Sequence, residues 1–479
     1  LPAMSIAQNI EPADRSSRRL LNVAGALLFL IVLTGVSWRL HEHWPLGGPA
    51  STERWALASF RDAIYYPLLA VRDGVNPYDS ARNDDPLRYM QRYPVGDTLP
   101  LYSPLILLAF APFAWLSVDA GMLVFTVLNV GLMLLLTWSA LRAVGRRPTI
   151  AAVCAFTALL LASQPGRGAI NSGQTVLPLA LAAFAALHWG DRRPWTSAAC
   201  LAFTTFKITY GGPLVLLLAA RRQWRTAVGG VVLGGLLGGL GLLVIAARSG
   251  DLSVQRMTAV LVRNQADFNA DPTVIPENNR ARIDLVAASE YLVNRPLPPW
   301  AAPLAALLVL GVSSAVLWRL PARDDAAESA VSTSSAMAVL AMFICIYHNV
   351  YDLPLLVVPI AACATAAHPS WRNMTRLRRR LVFGLMLLPF VNTLWTNGFR
   401  TLLAQAGINW GPTSVYASMY ASDLVYRLCC AANGLALSGA WLMLATSALR
   451  IRPALPQPLC IPDEPGSAVE SPHVLASHP

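Results

Sequence analysis

Apolar residues run along this chain in long blocks separated by short polar stretches, the pattern of successive membrane helices. A spanning helix takes about 20 mainly apolar residues, within a range of about 17–25. By that measure twelve segments are expected to span: 20–39, 101–117, 120–141, 149–163, 172–189, 197–219, 226–246, 300–318, 333–347, 350–367, 381–397 and 424–447. The expected fold is an all-α polytopic membrane protein with one helical domain over 20–449. No soluble domain of ordinary size fits between the blocks. Residues 1–19 form an N-terminal tail, and 450–479, rich in Pro and Ser without apolar periodicity, read as a disordered C-terminal tail.

Arginine placement orients such a bundle, because cytoplasmic loops carry the excess of basic residues. With both ends inside, Arg15, Arg18 and Arg19, then Arg221, Arg222 and Arg225, then Arg319 and Arg323 fall in the cytoplasm. So do Arg372, Arg376, Arg378 to Arg380, Arg450 and Arg452. Two groups disagree: Arg142, Arg146 and Arg147, and then Arg192 and Arg193, would lie outside. A segment 101–117 that re-enters without crossing rescues the first group and disturbs the rest. Two long loops, 40–100 and 247–299, share the outer side and hold 14 of the 26 carboxylates. Solubility alone explains acids in long loops; acid–base chemistry at that face is the sharper reading. Within the first loop, 55–73 mixes apolar residues and arginines as a helix lying on a membrane surface does.

Composition narrows the class. The chain is 55% hydrophobic and 13% charged, against about 25% charge in ordinary soluble domains. Disorder, a disulfide scaffold and a conventional soluble enzyme are thereby set aside. Net charge is +11, yet Lys207 is the only lysine. With abundant Ala, Gly, Leu and Pro, this bias points to a GC-rich bacterial genome. The basic excess belongs to cytoplasmic loops, and no stacking motif points to nucleic acid. The seven cysteines lie in apolar segments or the tail, without metal-ligand spacing. The first apolar run is long enough to anchor, and no small-residue cleavage site follows it.

Against that background a few polar residues stand out. Asp62 sits in SFRDAIYYPLL, an acid among aromatic and aliphatic neighbours, where partial burial suits a general base; its plain alternative is a solvated acid paired with Arg61. Lys207 lies inside an apolar run, and an ionisable group there is costly, about 2.5–3.5 kcal/mol at a helix centre. It either snorkels to the interface or meets an anionic headgroup or phosphate. As a lone buried charge it is expected to add little stability. His348 shares a turn with Asn349, Tyr351 and Asp352 between the ninth and tenth segments. Asn171, Ser172 and Gln174 interrupt another apolar run, where polar side chains can simply join helices.

The order D-x2-YY-x7-G-x2-PY, made by Asp62, Tyr65, Tyr66, Gly74, Pro77 and Tyr78, resembles the first outer loop of glycosyltransferase family 87. Tyr102-Ser103-Pro104-Leu105, Gly173-Gln174, Lys207, the Arg221–Arg225 turn and Tyr347-His348 to Tyr351-Asp352 follow in family order. Ile208-Thr209-Tyr210 precede Pro213, where relatives often place proline directly after lysine, and Asn349 stands where the mannosyltransferase branch tends to have a second histidine.

The resemblance implies a GT-C-like bundle in the bacterial plasma membrane, with its active site facing the exterior. It implies transfer of mannose or another hexose or pentose from a polyprenyl-phosphate donor to a lipid or glycan acceptor, by one-step inverting displacement. Asp62 takes the catalytic place, and Tyr65, Tyr66, Tyr78, Gln174, Lys207, His348 and Asp352 the substrate-binding places. Membrane lipids are the surroundings, no cofactor is called for, and no ligand set requires a metal. The competing readings are a ligase or polymerase of lipid-linked glycans, and a secondary transporter or flippase, which usually shows internal repeats. The loop 247–299 is expected to cover the site as a lid.

Overall fold

The computed structural model describes residues 15–45, 54–79, 86–95, 102–250, 253–270, 275, 279–320, 330–406, 408 and 422–449. The C-terminal tail, most of the N-terminal tail and parts of both outer loops, Asp84, Asp271 and Glu277 among them, lie outside the described residues. The described chain is helical, with one isolated backbone bridge between Arg282 and Asn349.

Among the described residues five helices are long and apolar enough to cross a membrane: Arg19–Glu42, Val118–Ala143, Trp224–Ser249, Ala301–Arg319 and Leu424–Leu449. A sixth is reached if Ile150–Ala162 and Gln164–Asn171, bent by 78°, count together. The expected twelve full spans are not found among the described residues on this measure, because several apolar runs are broken into shorter helices. Segment 101–117 makes only Leu105–Ala109 and a 3-10 turn, Ala111–Trp115. Pro112 has no N–H to continue the ladder and its ring crowds the preceding turn. Five residues of helix rise only about 8 Å. Segment 197–219 splits into Pro194–Thr204 and Ile208–Ala220, with Lys207 in extended conformation at the break (φ −111°, ψ 98°).

The packing shows that this second break is a hairpin. Gly229 packs on Ala198 and Gly234 on Thr205, so Pro194–Thr204 runs parallel to Trp224–Ser249. At the far side of the hairpin, Gly190 touches Gln223, and Asp191 accepts from the Thr226 N–H at 3.1 Å. Ile208–Ala220 therefore returns to the end from which Pro194–Thr204 set out. Other contacts gather at that same end. Arg221 donates to Ser335 Oγ at 2.9 Å, Arg222 to the Trp318 carbonyl at 3.1 Å, and Ala151 N–H to Asn22 Oδ1 at 3.1 Å.

One consequence corrects the expected topology. With 101–117 not crossing and 197–219 folding back on itself, Arg142, Arg146, Arg147, Arg192 and Arg193 join Arg19, Arg221, Arg222, Arg225, Arg319 and Arg372 at one end of the bundle. Neither break alone does this; the two together remove both disagreements.

The opposite end is closed by shorter pieces. Trp44 meets Asp119, Leu57 N–H meets the Asn171 carbonyl, and Ser103 N–H meets the Phe206 carbonyl. The segment 55–73 belongs here, but it does not lie on a surface. Leu57, Phe60, Arg61 and Ile64 are fully buried, because the bundle closes around this helix and Phe60 packs on Phe113 and Phe125. The loop 247–299 carries helices Val254–Ala270 and Leu285–Val293. Ile283 N–H donates to the His348 carbonyl at 3.0 Å and Val350 N–H to the Ala281 carbonyl at 2.9 Å, which fastens its second half to the bundle.

Candidate active site

Asp62 stands in a π-helical turn, Arg61–Tyr65, set between Ala58–Phe60 and Tyr66–Arg72. The Tyr66 N–H reaches back five residues to the Arg61 carbonyl, just before Pro67, which has no N–H to offer. Such single-turn bulges occur often at functional sites. Asp62 is 1% exposed, and its charge acts on the phenols of Tyr66 and Tyr89. Arg61 is equally buried; it donates to the Pro94 carbonyl at 3.2 Å and lies over the Tyr66 ring.

Two of the tyrosines in this loop brace backbone. Tyr65 donates to the Leu116 carbonyl at 2.7 Å, and Tyr78 to the Tyr102 carbonyl at 2.8 Å. Asn264, from the second outer loop, donates to the Tyr78 carbonyl at 2.9 Å. Burial raises the Tyr65 and Tyr66 phenols above their ordinary range, so both stay protonated donors at neutral pH. Asp73 accepts from Tyr93 and Arg92, both at 3.0 Å, and ties the far end of the helix to the segment before residue 95.

The interruption at 171–174 holds the Asp62 helix in place. Leu57 N–H donates to the Asn171 carbonyl at 2.8 Å and Ser59 N–H to the Ser172 carbonyl at 3.0 Å. Gly173 takes φ +67°, and a Cβ there would come 2.9 Å from Phe60 Cβ, so glycine alone fits this approach. Gln174 then bridges two sides: its Nε2 donates to Ser59 Oγ at 2.7 Å, and its Oε1 accepts from Tyr102 at 3.4 Å. Tyr102 packs edge-on against Phe206, beside the hairpin tip.

At that tip Lys207 Nζ meets Asp352 Oδ1 at 2.5 Å; the side chains are 11% and 0% exposed. Tyr210 and Tyr351 place their rings 5.4 and 5.5 Å from the ammonium. The remaining Asp352 oxygen accepts from the Asn349 N–H at 3.0 Å, and Tyr210 donates to the Asp352 carbonyl at 2.6 Å. His348 lies beneath, edge-on to Tyr210 and Phe343, with Nδ1 3.2 Å from the Ile346 carbonyl. In this connection between two helices, burial pushes the imidazole down to about 4, so it is neutral at pH 7.

Sequence reasoning did not single out the pair beside this knot. Arg282 grips Asp284 through two nitrogens, at 2.8 and 2.9 Å, and lies 5.0 Å from the Tyr347 ring. In the sequence they are only two among the alternating charges of the second loop; their R-x-D spacing was the available signal. Among the described residues no three His, Cys, Asp or Glu side chains come together to hold a metal.

A buried acid and a buried lysine–aspartate pair thus stand at the same end of a multi-pass helical bundle, with Gln174 tying the helix of the first to Tyr102. The model of glycosyltransferase family 87 matches residues 101–346, just over half of the chain, and the chain belongs to that family. It is a membrane glycosyltransferase. The matched region includes Tyr102, Gln174, Lys207 and Arg282, while Asp62, His348 and Asp352 lie outside it. No curated protein and no solved structure matches the chain.

Proposed function

We propose that the enzyme moves a hexose or pentose from a polyprenyl-phosphate donor to a lipid or glycan acceptor at the outer face of a bacterial plasma membrane. The observation that carries this reading is the Gln174 bridge, which ties the Asp62 helix to Tyr102 and thence to the Lys207–Asp352 tip. It supports one site with an acid on one side and a cation on the other.

The chemistry assigned to it is a single inverting displacement. The acceptor hydroxyl oxygen bonds to the anomeric carbon while the Asp62 carboxylate removes its proton. The bond from that carbon to the phosphate oxygen breaks, and polyprenyl phosphate leaves with the electron pair. Charge thus grows on the phosphate, and Lys207 is the group assigned to stabilise it: an ammonium has three donors, and Asp352 uses one. A preorganised cation of this kind is worth most where water is excluded. Collection of the arginines at the other end supports an outward-facing site, since basic loops stay in the cytoplasm.

The test is turnover by the purified protein in nanodiscs, with radiolabelled polyprenyl-phosphate mannose and polyprenyl-phosphate arabinose offered in turn. The expected result is a labelled lipid product from one donor, with inverted anomeric configuration, that Asp62→Asn abolishes. Retained configuration, or transfer from a nucleotide sugar with neither lipid donor used, would overturn it.

A further inference from the structure

A cleft of about 690 Å³ opens between the ends of Arg15–Glu42 and Val118–Ala143, at the same end of the bundle as Asp62. That volume lies within the range of ordinary ligand sites, about 300–1,000 Å³. Its polar side carries Glu42, Arg54 and Asp119; Leu40 and Leu123 form its apolar side. Trp44 stands between them and donates its indole N–H to Asp119 Oδ1 at 2.7 Å.

The cleft abuts the catalytic helix. A Cβ at Gly121 would stand 3.3 Å from the Tyr65 ring, and the Asp119 charge acts on the phenols of both Tyr65 and Tyr66. Asp119 therefore neighbours the tyrosines of the turn that bears Asp62. Leu123 in its lining is 60% exposed, and Trp38 and Val127, next in sequence to the lining residues Ser37 and Thr126, are 65% and 64% exposed, on two helices long and apolar enough to cross a membrane. The opening is thus bordered by side chains suited to lipid.

We infer that this cleft seats the acceptor, as an uncharged, hydroxyl-rich headgroup carried on an apolar tail. The inference rests on the transferase reading above and adds the class of acceptor to it. Charge makes the selection. Arg54 and His41 share the lining with the two carboxylates of Glu42 and Asp119, so the lining lacks the positive excess that a phosphate requires. Carboxylates accept hydrogen bonds from sugar hydroxyls through several lone pairs, and the apolar wall continues into the bilayer for the tail. The donor's phosphate finds its cation elsewhere, at Lys207.

Binding tests this without any turnover. Protein in nanodiscs is titrated with radiolabelled dodecyl mannoside and, separately, with radiolabelled polyprenyl phosphate. Asp119→Asn keeps the shape of the lining, and Leu123→Trp fills the cleft from a lipid-facing position where the fold tolerates bulk. Each is expected to weaken the mannoside by about tenfold or more, Asp119→Asn by the worth of a hydrogen bond to a charged group and Leu123→Trp by occupying the cleft, and to leave polyprenyl phosphate unchanged. Equal mannoside binding in all three proteins would overturn the proposal. So would loss of polyprenyl-phosphate binding instead, which would make the cleft a donor groove. Because neither probe is turned over, a protein that failed to transfer sugar would still report on the cleft.

Discussion

Lys207 Nζ lies 2.5 Å from Asp352 Oδ1, and through this contact the tip of one hairpin is joined to the turn that follows Thr333–Cys345. Read in sequence, Lys207 is a lone buried charge that contributes little; in the fold it is half of a buried pair. Lys207→Met therefore leaves Asp352 uncompensated, and removing one partner of a buried pair typically costs roughly 3–5 kcal/mol. Thermal unfolding in detergent should show a large loss for Lys207→Met and for Asp352→Leu. The double variant should recover much of it while staying inactive. A single variant with unaltered unfolding would mean that the pair is not buried.

Asp62→Asn makes the cleanest test of the acid. It keeps the size of the side chain and removes its basicity. Loss of general base catalysis costs about 10²–10⁴-fold in rate. Turnover should fall by that factor, with the melting temperature and donor binding close to the parent's. Wild-type turnover would move attention to Asp73, whose carboxylate is already engaged by Tyr93 and Arg92.

Gly173 offers a way to move Asp62 without touching it. Any side chain at 173 meets φ +67° and the backbone of Leu57, so the Asp62 helix must shift. Gly173→Ala should lose both stability and turnover. Gly131→Ala, in the open middle of Val118–Ala143 with nothing within 4 Å, serves as the matched control. Helix propensity favours alanine there by about 1 kcal/mol, so that variant should be neutral or slightly stabilised. Equal behaviour of the two variants would argue against the close approach at 171–174.

His348 sets a pH window. Its folded-state value, near 4, lies below the ordinary 6.5, because burial disfavours the imidazolium. The unfolded chain therefore binds the extra proton first as pH falls. The contribution is complete above about pH 6.5 and is lost progressively toward about pH 4. Unfolding temperatures measured from pH 7.5 down to 4 should decline more steeply for the parent than for His348→Gln. Parallel declines would remove the histidine from the account.

Much of this site was legible in the sequence, for a physical reason. Asp62, Lys207 and Asp352 are polar residues in apolar surroundings, and the cost of burying them marks them wherever they occur. Gln174 was visible as an interruption, although nothing local revealed that it joins Ser59 to Tyr102, residues 115 and 72 positions away. Helix count was the least legible property. Hydropathy reports how apolar 197–219 is, and it is equally apolar as one span or as a hairpin turning at Lys207. The aromatic residues of 55–73 misled in the same way, since a surface helix and a helix enclosed by Phe113 and Phe125 share their composition.

The arrangement of arginines carries the last prediction. In twelve alternating spans Arg147 and Arg193 face one side of the membrane and Arg225 the other. With 101–117 not crossing and the hairpin at Lys207, all three stand at one end, and Arg295, which follows Leu285–Val293, stands at the other. All four are exposed, so each can be replaced by cysteine in a background whose native cysteines are changed to alanine. A membrane-impermeant maleimide applied to intact cells should label position 295 alone. Positions 147, 193 and 225 should react only after the membrane is opened, since basic clusters are retained in the cytoplasm. Labelling of 147 and 193 together with 295 in intact cells would restore the alternating arrangement. It would also make 197–219 a single crossing and remove Lys207 from the end that holds Asp62.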